Sequence, residues 1–249
     1  MTELILSGAC GQMGRAVAAL AAAREDCQVA AGIDRRHFPG APFPIFPSPE
    51  QYDGPNGVLV DFSHPDLCQG LLALARERRL PAVICTTGLR EEQIGAIHEA
   101  ASEIPIFFSA NMSLGVNLLR ELCKRAAQVL GGEYDIEIIE RHHNQKLDAP
   151  SGTALMLADA LAGELSPAPQ YVYDRHSRRM KRPKNEIGIH SVRGGTIVGE
   201  HEVLFCGEDE VITLSHSASS KRVFAAGALR AAIFLQDRAP GLYDMGDLV

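Results

Sequence analysis

The amino-acid sequence predicts an α/β protein, a doubly wound parallel sheet followed by a second, α+β domain, on three observations. Short apolar runs alternate with helical apolar spacing from Leu4 to Ser109, the pattern of strands joined by crossover helices. A glycine turn, Gly8-Ala9-Cys10-Gly11-Gln12-Met13-Gly14, links the first run to the first helix. After Gly131-Gly132 the rhythm changes to successive strand patterns bounded by Gly, Asp and Glu.

Each element follows from its residues. Leu4-Ile5-Leu6 is a buried-type strand, and Ala16 to Arg24 carries the spacing of an Ala-rich helix. The turn between them lets backbone approach a pyrophosphate while the helix N-terminus faces its charge, which is the physical content of a dinucleotide fingerprint. Its spacing is G-x-x-G-x-x-G, with Cys10 where the commoner fingerprint has its middle glycine. Gln28 to Ile33 reads as the second strand, and Asp34 follows at the distance expected of an acid that accepts from a ribose hydroxyl. Arg35 and Arg36 beside it can pair with a 2′-phosphate, so NADH and NADPH both stay open; a plain turn-starting Asp34 is the alternative. Pro39, Pro42, Pro44, Pro47 and Pro49 break up residues 38–50, which read as a loop without a regular element.

Strands at Gly57–Phe62, Ala82–Cys85 and Ile106–Ser109 then alternate with helices at Asp66–Arg79 and Arg90–Ser102. Doubly wound sheets bind ligands at their C-terminal strand ends, so Asp61, Ser63, Thr86, Thr87, Ala110 and Asn111 are expected to line a crevice. Ordinary turn chemistry accounts for these small polar residues equally well. A long helix starts near Ser113. Beyond it, strands at Asp135–Glu140, Ile187–Val192, Gly195–Phe205 and Glu210–Ser215 predict a sheet that is antiparallel or mixed. The last helix, Ala225–Asp237, is rich in Ala and Leu and is expected to return to the first domain. The expected division is therefore 1–112, then 113–220, with 221–249 rejoining the first part.

A chain of 249 residues can bury a substantial core as one large domain or two modest ones. Its net charge of −7 argues against nucleic acid and anionic membrane as partners. A local basic run, Arg175, Arg178, Arg179, Lys181, Arg182 and Lys184, reads as a solvated, mobile loop. The six cysteines form no C-x-x-C pair, which points away from zinc and from a disulfide framework and towards a cytoplasmic location. No basic leader precedes the first strand, and no apolar run is long enough to span a bilayer.

The densest chemistry lies between Glu140 and Thr153, where Arg141, His142, His143 and Lys146 fall on a strand-to-helix loop. With Ser151 as N-cap, the N–H groups of Gly152 and Thr153 lack helical partners and face the side of Lys146, a place suited to a carboxylate. A reductase needs a hydride from a nicotinamide, an anchor for the acceptor and a proton source. Either His142 or His143 can donate the proton, and Lys146 can pair with a carboxylate or share the acid role, while Asp148 orients the loop. Histidines that only cap the loop are the alternative. A metal is disfavoured because the Lys146 ammonium would repel it.

Several blocks together resemble the bacterial dihydrodipicolinate reductase family, also called the 4-hydroxy-tetrahydrodipicolinate reductase family. They are Gly8 to Arg15, Cys85-Thr86-Thr87-Gly88, Ala110 to Asn117, Glu140 to Thr153, Val192 to His201 and Ser217 to Ser220. The block His-His-x-x-Lys-x-Asp-Ala-Pro-Ser-Gly-Thr is the most specific of them, and the resemblance spans nearly the whole chain in order. It implies a Rossmann-type first domain, a second domain for substrate binding and oligomerisation, and NADH- or NADPH-dependent reduction of a cyclic dicarboxylate on the route to diaminopimelate and lysine.

By resemblance His142 is the proton donor, Lys146 a second catalytic or carboxylate-binding group, His143 a substrate contact, and Ser151, Gly152 and Thr153 the carboxylate-binding helix start. The cofactor would be held by Gly8, Ala9, Cys10, Gly11, Gln12 and Met13, by Asp34 and Arg35, by Cys85, Thr86 and Thr87, and by Ser109, Ala110, Asn111 and Met112. No metal is implied, and a homotetramer is. The chain departs from the family at Cys10 and Cys85, where glycine is usual, and at Asp34, where many members have Glu. The competing readings are a non-catalytic NAD(H)-sensing protein and a dehydrogenase acting on another amino-acid-like carbonyl or imine.

Overall fold

The computed structural model describes residues 1–36 and 40–248, so Pro39, within the loop expected at 38–50, lies outside the described residues. The chain divides into two compact units, Met1–Leu114 with Lys221–Val249, and Gly115–Ser220.

In the first unit, β1 (Thr2–Ser7), β2 (Cys27–Ile33), β3 (Ile45–Phe46), β4 (Val58–Asp61), β5 (Ala82–Ile84), β6 (Pro105–Phe108) and β12 (Gly241–Tyr243) form one sheet. Every neighbouring pair is parallel, and the order is β12-β6-β5-β4-β1-β2-β3, a Rossmann-type sheet with an added edge strand. Strand residues alternate between two buried layers, as a sheet covered on both faces requires. Leu4, Leu6, Val58, Val60 and Phe107 pack against α1 (Gln12–Ala21) and α6 (Arg222–Leu235). Ile5, Ala31, Leu59, Ile84 and Ile106 pack instead against α2 (Cys68–Arg78) and α3 (Glu91–Ala100).

In the second unit, β7 (Asp135–His142), β8 (Gln170–Val172), β9 (Glu186–Arg193), β10 (Gly199–Cys206) and β11 (Val211–Ala218) form a mixed sheet of order β11-β10-β7-β9-β8. The β11/β10 and β10/β7 pairs are antiparallel, and the β7/β9 and β8/β9 pairs are parallel. One face is covered by α4 (Leu114–Leu130) and α5 (Gly152–Ala162), with Leu119, Cys123, Leu157 and Leu161 against Ile136, Ile138, Val203 and Phe205.

Several expectations need correction. The stretch expected to lack regular structure contains β3 and a 3-10 turn at Pro49–Gln51, because Ile45 and Phe46 pair with Gly32 and Ile33 despite the surrounding prolines. Helix α1 begins at Gln12 and ends at Ala21, so Arg24 lies beyond it and instead pairs with Asp26. Strand β10 starts at Gly199, so residues 195–198 belong to the turn before it. The basic run is not uniformly solvated. Arg182 reaches Asp135, Glu137 and the carbonyls of Ile136 and Glu186, and Arg175 pairs with Glu186, so these two arginines tie the segment to β7 and β9. Among the described residues, no helix is long and apolar enough to cross a membrane.

Candidate active site

The candidate site residues fall in two sets, one on each unit. In the first unit the sheet reverses direction of winding between β1 and β4, and the C-terminal strand ends there open into a cleft of about 470 Å³. It is lined by Gly8 and Gly11 after β1, by Asp34, Arg35 and Arg36 after β2, and by Phe62, Ser63 and His64 after β4. The glycines are required by space. Gly8 has φ of +76°, and a Cβ there would meet the Phe62 carbonyl oxygen at 2.6 Å. A Cβ on Gly14 would lie 2.2 Å from the Gly8 carbonyl oxygen, so the turn and helix α1 can close only on glycine.

Helix α1 starts with no side-chain cap and no acid in its first turn, which leaves the amides of Gln12 and Met13 suited to a phosphate. The residues present therefore fit a dinucleotide. Asp34 is more engaged than its sequence position suggested: Oδ2 accepts from the Cys10 amide at 2.9 Å, and Oδ1 accepts from the Arg36 amide at 2.9 Å. It thus holds the glycine turn as well as facing the cleft. The Cys10 thiol donates to the Arg36 carbonyl at 3.1 Å, which makes this cysteine a tie between the glycine turn and the segment that follows β2.

The remaining predicted cofactor residues follow β5 and β6. Thr87 and Ala110 are exposed there, and Ser109 and Asn111 are half-buried. Cys85 and Met112 are core residues, so only their backbones can face a ligand. Asp61, expected to line the crevice, is 1 % exposed and accepts from the Thr86 hydroxyl at 2.7 Å and the Ser63 amide at 2.9 Å. Burial pushes its carboxyl up from the usual range, and its role is to shape the strand ends.

In the second unit the strand-to-helix segment gathers His142, His143, Lys146, Ser151, Gly152 and Thr153 between the end of β7 and the first turn of α5. Ser151 is the N-cap, its Oγ accepting from the Ala154 amide at 3.2 Å. A Cβ on Gly152 would meet nothing within 4 Å, so the helix start is open beside it. Lys146 bonds Asp148 at 2.8 Å, which holds the loop as expected of that aspartate. His143 begins the turn, its carbonyl accepting from the Lys146 amide at 3.1 Å.

His142 is buried, and its Nδ1 lies 2.7 Å from Glu140 Oε2. Arg193 from β9 grips the same carboxylate with both terminal nitrogens at 2.7 Å and also donates to the Asp148 carbonyl. Burial alone would raise the Glu140 carboxyl, but the bonds from Arg193, His142 and the Ser151 amide outweigh it and bring it down to about 2. His201, from β10, stacks edge-on against His142 with ring centres 5.2 Å apart, and its Nε2 lies 3.0 Å from Ser151 Oγ. Burial, with His142 nearby, lowers the His201 imidazole to about 4, so it is neutral near pH 7. No role was expected of Glu140, Arg193 or His201. A signal for Glu140 was present: β7 alternates with period two, and Glu140 and His142 occupy the covered face below which Ile136 and Ile138 fill the core.

The family model described as "Dihydrodipicolinate reductase, N-terminus" matches residues 2–112, and "Dihydrodipicolinate reductase, C-terminus" matches residues 115–249. The chain is 52 % identical over its whole length, and 98 % of the relative's, to a "4-hydroxy-tetrahydrodipicolinate reductase" of Caldanaerobacter subterraneus subsp. tengcongensis. It is 47 % identical, with the same coverage, to one of Clostridium botulinum. Among solved structures, a "Dipicolinate bound Dihydrodipicolinate reductase" from Paenisporosarcina sp. TG-14 superposes with a TM-score of 0.82 at 26 % identity, covering 100 % of both chains. With both halves matched and relatives of this identity along its full length, the chain belongs to the dihydrodipicolinate reductase family.

Proposed function

We propose that the protein reduces (2S,4S)-4-hydroxy-2,3,4,5-tetrahydrodipicolinate to (S)-2,3,4,5-tetrahydrodipicolinate with NADH or NADPH, a step of diaminopimelate and lysine biosynthesis. The observation that carries the reading is the buried Glu140–His142 pair beside the open start of α5, on the part of the chain that the family's C-terminal model matches. The net change is gain of a hydride and a proton with loss of water. The nucleotide, when bound, supplies the hydride. His142 delivers the proton, Lys146 pairs with a substrate carboxylate, and His143, Ser151, Gly152 and Thr153 shape the anion site.

For the nucleotide, the glycine turn Gly8–Met13 and the amides at the start of α1 take the pyrophosphate, with residues 85–87 and 109–112 beyond it. Asp34 faces the adenosine ribose. Arg36 has a side chain 70 % exposed at the same cleft and Arg35 lies beside it, so both a 2′-hydroxyl and a 2′-phosphate find partners and both nucleotides serve. The protein works in the cytoplasm as a homotetramer, with residues 113–220 as the substrate-binding and assembly part.

The test is a coupled assay. NADH or NADPH should be oxidised only when dihydrodipicolinate synthase, pyruvate and aspartate semialdehyde are all present. Nucleotide oxidation that does not depend on the synthase, or none at all, would refute the reading. Light scattering on the purified protein tests the tetramer.

A further inference from the structure

The side chain at the centre of the second unit's polar cluster is Glu140, which is fully buried. Its carboxylate is met by Arg193, the Ser151 amide and His142, and the Ser191 side chain bonds it as well. Arg193 Nη2 and the Ser151 amide bind Oε1 at 2.7 and 3.1 Å, and Arg193 Nη1 and His142 Nδ1 bind Oε2 at 2.7 Å each. A guanidinium and a backbone amide can only donate, so both oxygens act as acceptors and the carboxyl carries no proton. The imidazole nitrogen at 2.7 Å must then be the protonated one. Among the described residues Nε2 of His142 has no hydrogen-bond partner, and Gly199 leaves room beside it, since a Cβ there would stand 3.1 Å from that nitrogen. The Ser151 amide that Glu140 holds also begins α5, and His201 packs on the His142 ring while bonding the Ser151 hydroxyl.

We propose that Glu140 is the positioning residue of this site: it fixes His142 with Nδ1–H turned inward and Nε2 as the proton-transferring atom, and it ties that ring to the start of α5. The reading of His142 as the proton donor rests on the function proposed above; the tautomer does not. One carboxylate thereby sets both the direction of proton delivery and the position of the helix start that takes the substrate's charge. Arg193 neutralises it without competing for the ring, and its bond to the Asp148 carbonyl extends the same frame to the loop carrying Lys146.

The experiment has two arms. Selectively 15N-histidine-labelled protein, with the His142 signals assigned by their loss in His142→Gln, is expected to show neutral His142 protonated at Nδ1 and bare at Nε2. In Glu140→Gln the amide must turn its NH2 group towards one set of donors, so the tautomer should change or become mixed. The same variant should lose about a hundredfold in kcat while KM rises no more than about threefold, and Glu140→Asp should recover part of the loss. Nε2 protonation in the neutral wild-type ring, or wild-type kcat in Glu140→Gln, would overturn the proposal. Should Glu140→Gln fail to fold, the wild-type spectrum still decides. A wild-type protein inactive in the coupled assay would defeat the proposed function, while the tautomer, read without substrate, would be decided on its own.

Discussion

Acidification should destabilise this protein chiefly through one imidazole. His201 is 4 % exposed and is held neutral down to about pH 4, whereas an unfolded histidine takes up its proton near 6.5. Above 6.5 both states are neutral and the residue contributes no pH dependence. Between 6.5 and 4 the unfolded chain binds a proton that the folded chain refuses, so stability falls as pH falls. From those two values, lowering the pH from 7.5 to 5.0 should cost about 2 kcal/mol, rising to about 3 kcal/mol at pH 4 and levelling off below it. Glu140, whose carboxyl is drawn down to about 2, adds little in this window and only below about 4.5 begins to lose its own contribution. The measurement is urea unfolding of wild type and His201→Gln at pH 7.5 and 5.0, compared at constant protein concentration. The glutamine keeps a polar partner for Ser151 but cannot titrate, so the wild type should lose about 2 kcal/mol more than the variant between the two pH values. Equal losses would show that His201 titrates normally, and the account of its burial would be wrong.

Three other outcomes are expected. Gly14→Ala places a carbon 2.2 Å from the Gly8 carbonyl oxygen and should weaken NADH binding by about a hundredfold, read by nucleotide fluorescence titration. Lys146→Ala should lower kcat and raise KM for the substrate without much changing NADH affinity, whereas His142→Gln should act mainly on kcat; steady-state kinetics beside nucleotide titration separates the two. Arg182→Met takes from Asp135 and Glu137 a cation that is only 16 % exposed, leaving them Lys184, Arg175 and His190, and should cost about 1–2 kcal/mol by denaturant unfolding, whereas a solvated arginine would cost nothing measurable.

The parallel sheet was legible because its strands are continuous apolar runs and its helices keep a 3.6-residue spacing, two signals that local sequence carries unaided. Strands β3, β8 and β12 were not, since each has only two or three residues and exists by pairing with a neighbour distant in sequence. The same limit explains Arg182. Its partners Asp135 and Glu137 lie more than forty positions away, so a run of cations looked like a solvated loop until β7 and β9 were paired. Ser151 as an N-cap and Asp148 as a residue that holds the loop are local relations and were readable, although the partner of Asp148, Lys146, was not named in advance. Arg193 reaching Glu140 depends on the parallel register that sets His142 opposite Arg193, which no spacing within the segment reveals.

Helix α6 belongs to the first unit although the whole of the second lies between it and β6. Seven of its residues are buried, among them Ala225, Ala228, Ala232 and Leu235, all in one core with Leu4, Leu6, Val60 and Phe107. On the ribosome, the portion translated first therefore lacks a wall until residues 115–220 have been made, a delay of about 5 to 20 s at ordinary elongation rates. The segment synthesised later can complete its own sheet and core while the earlier one waits. Order of birth and order of completion run opposite ways in this polypeptide, and the nascent chain carries an uncovered apolar face for as long as the wait lasts.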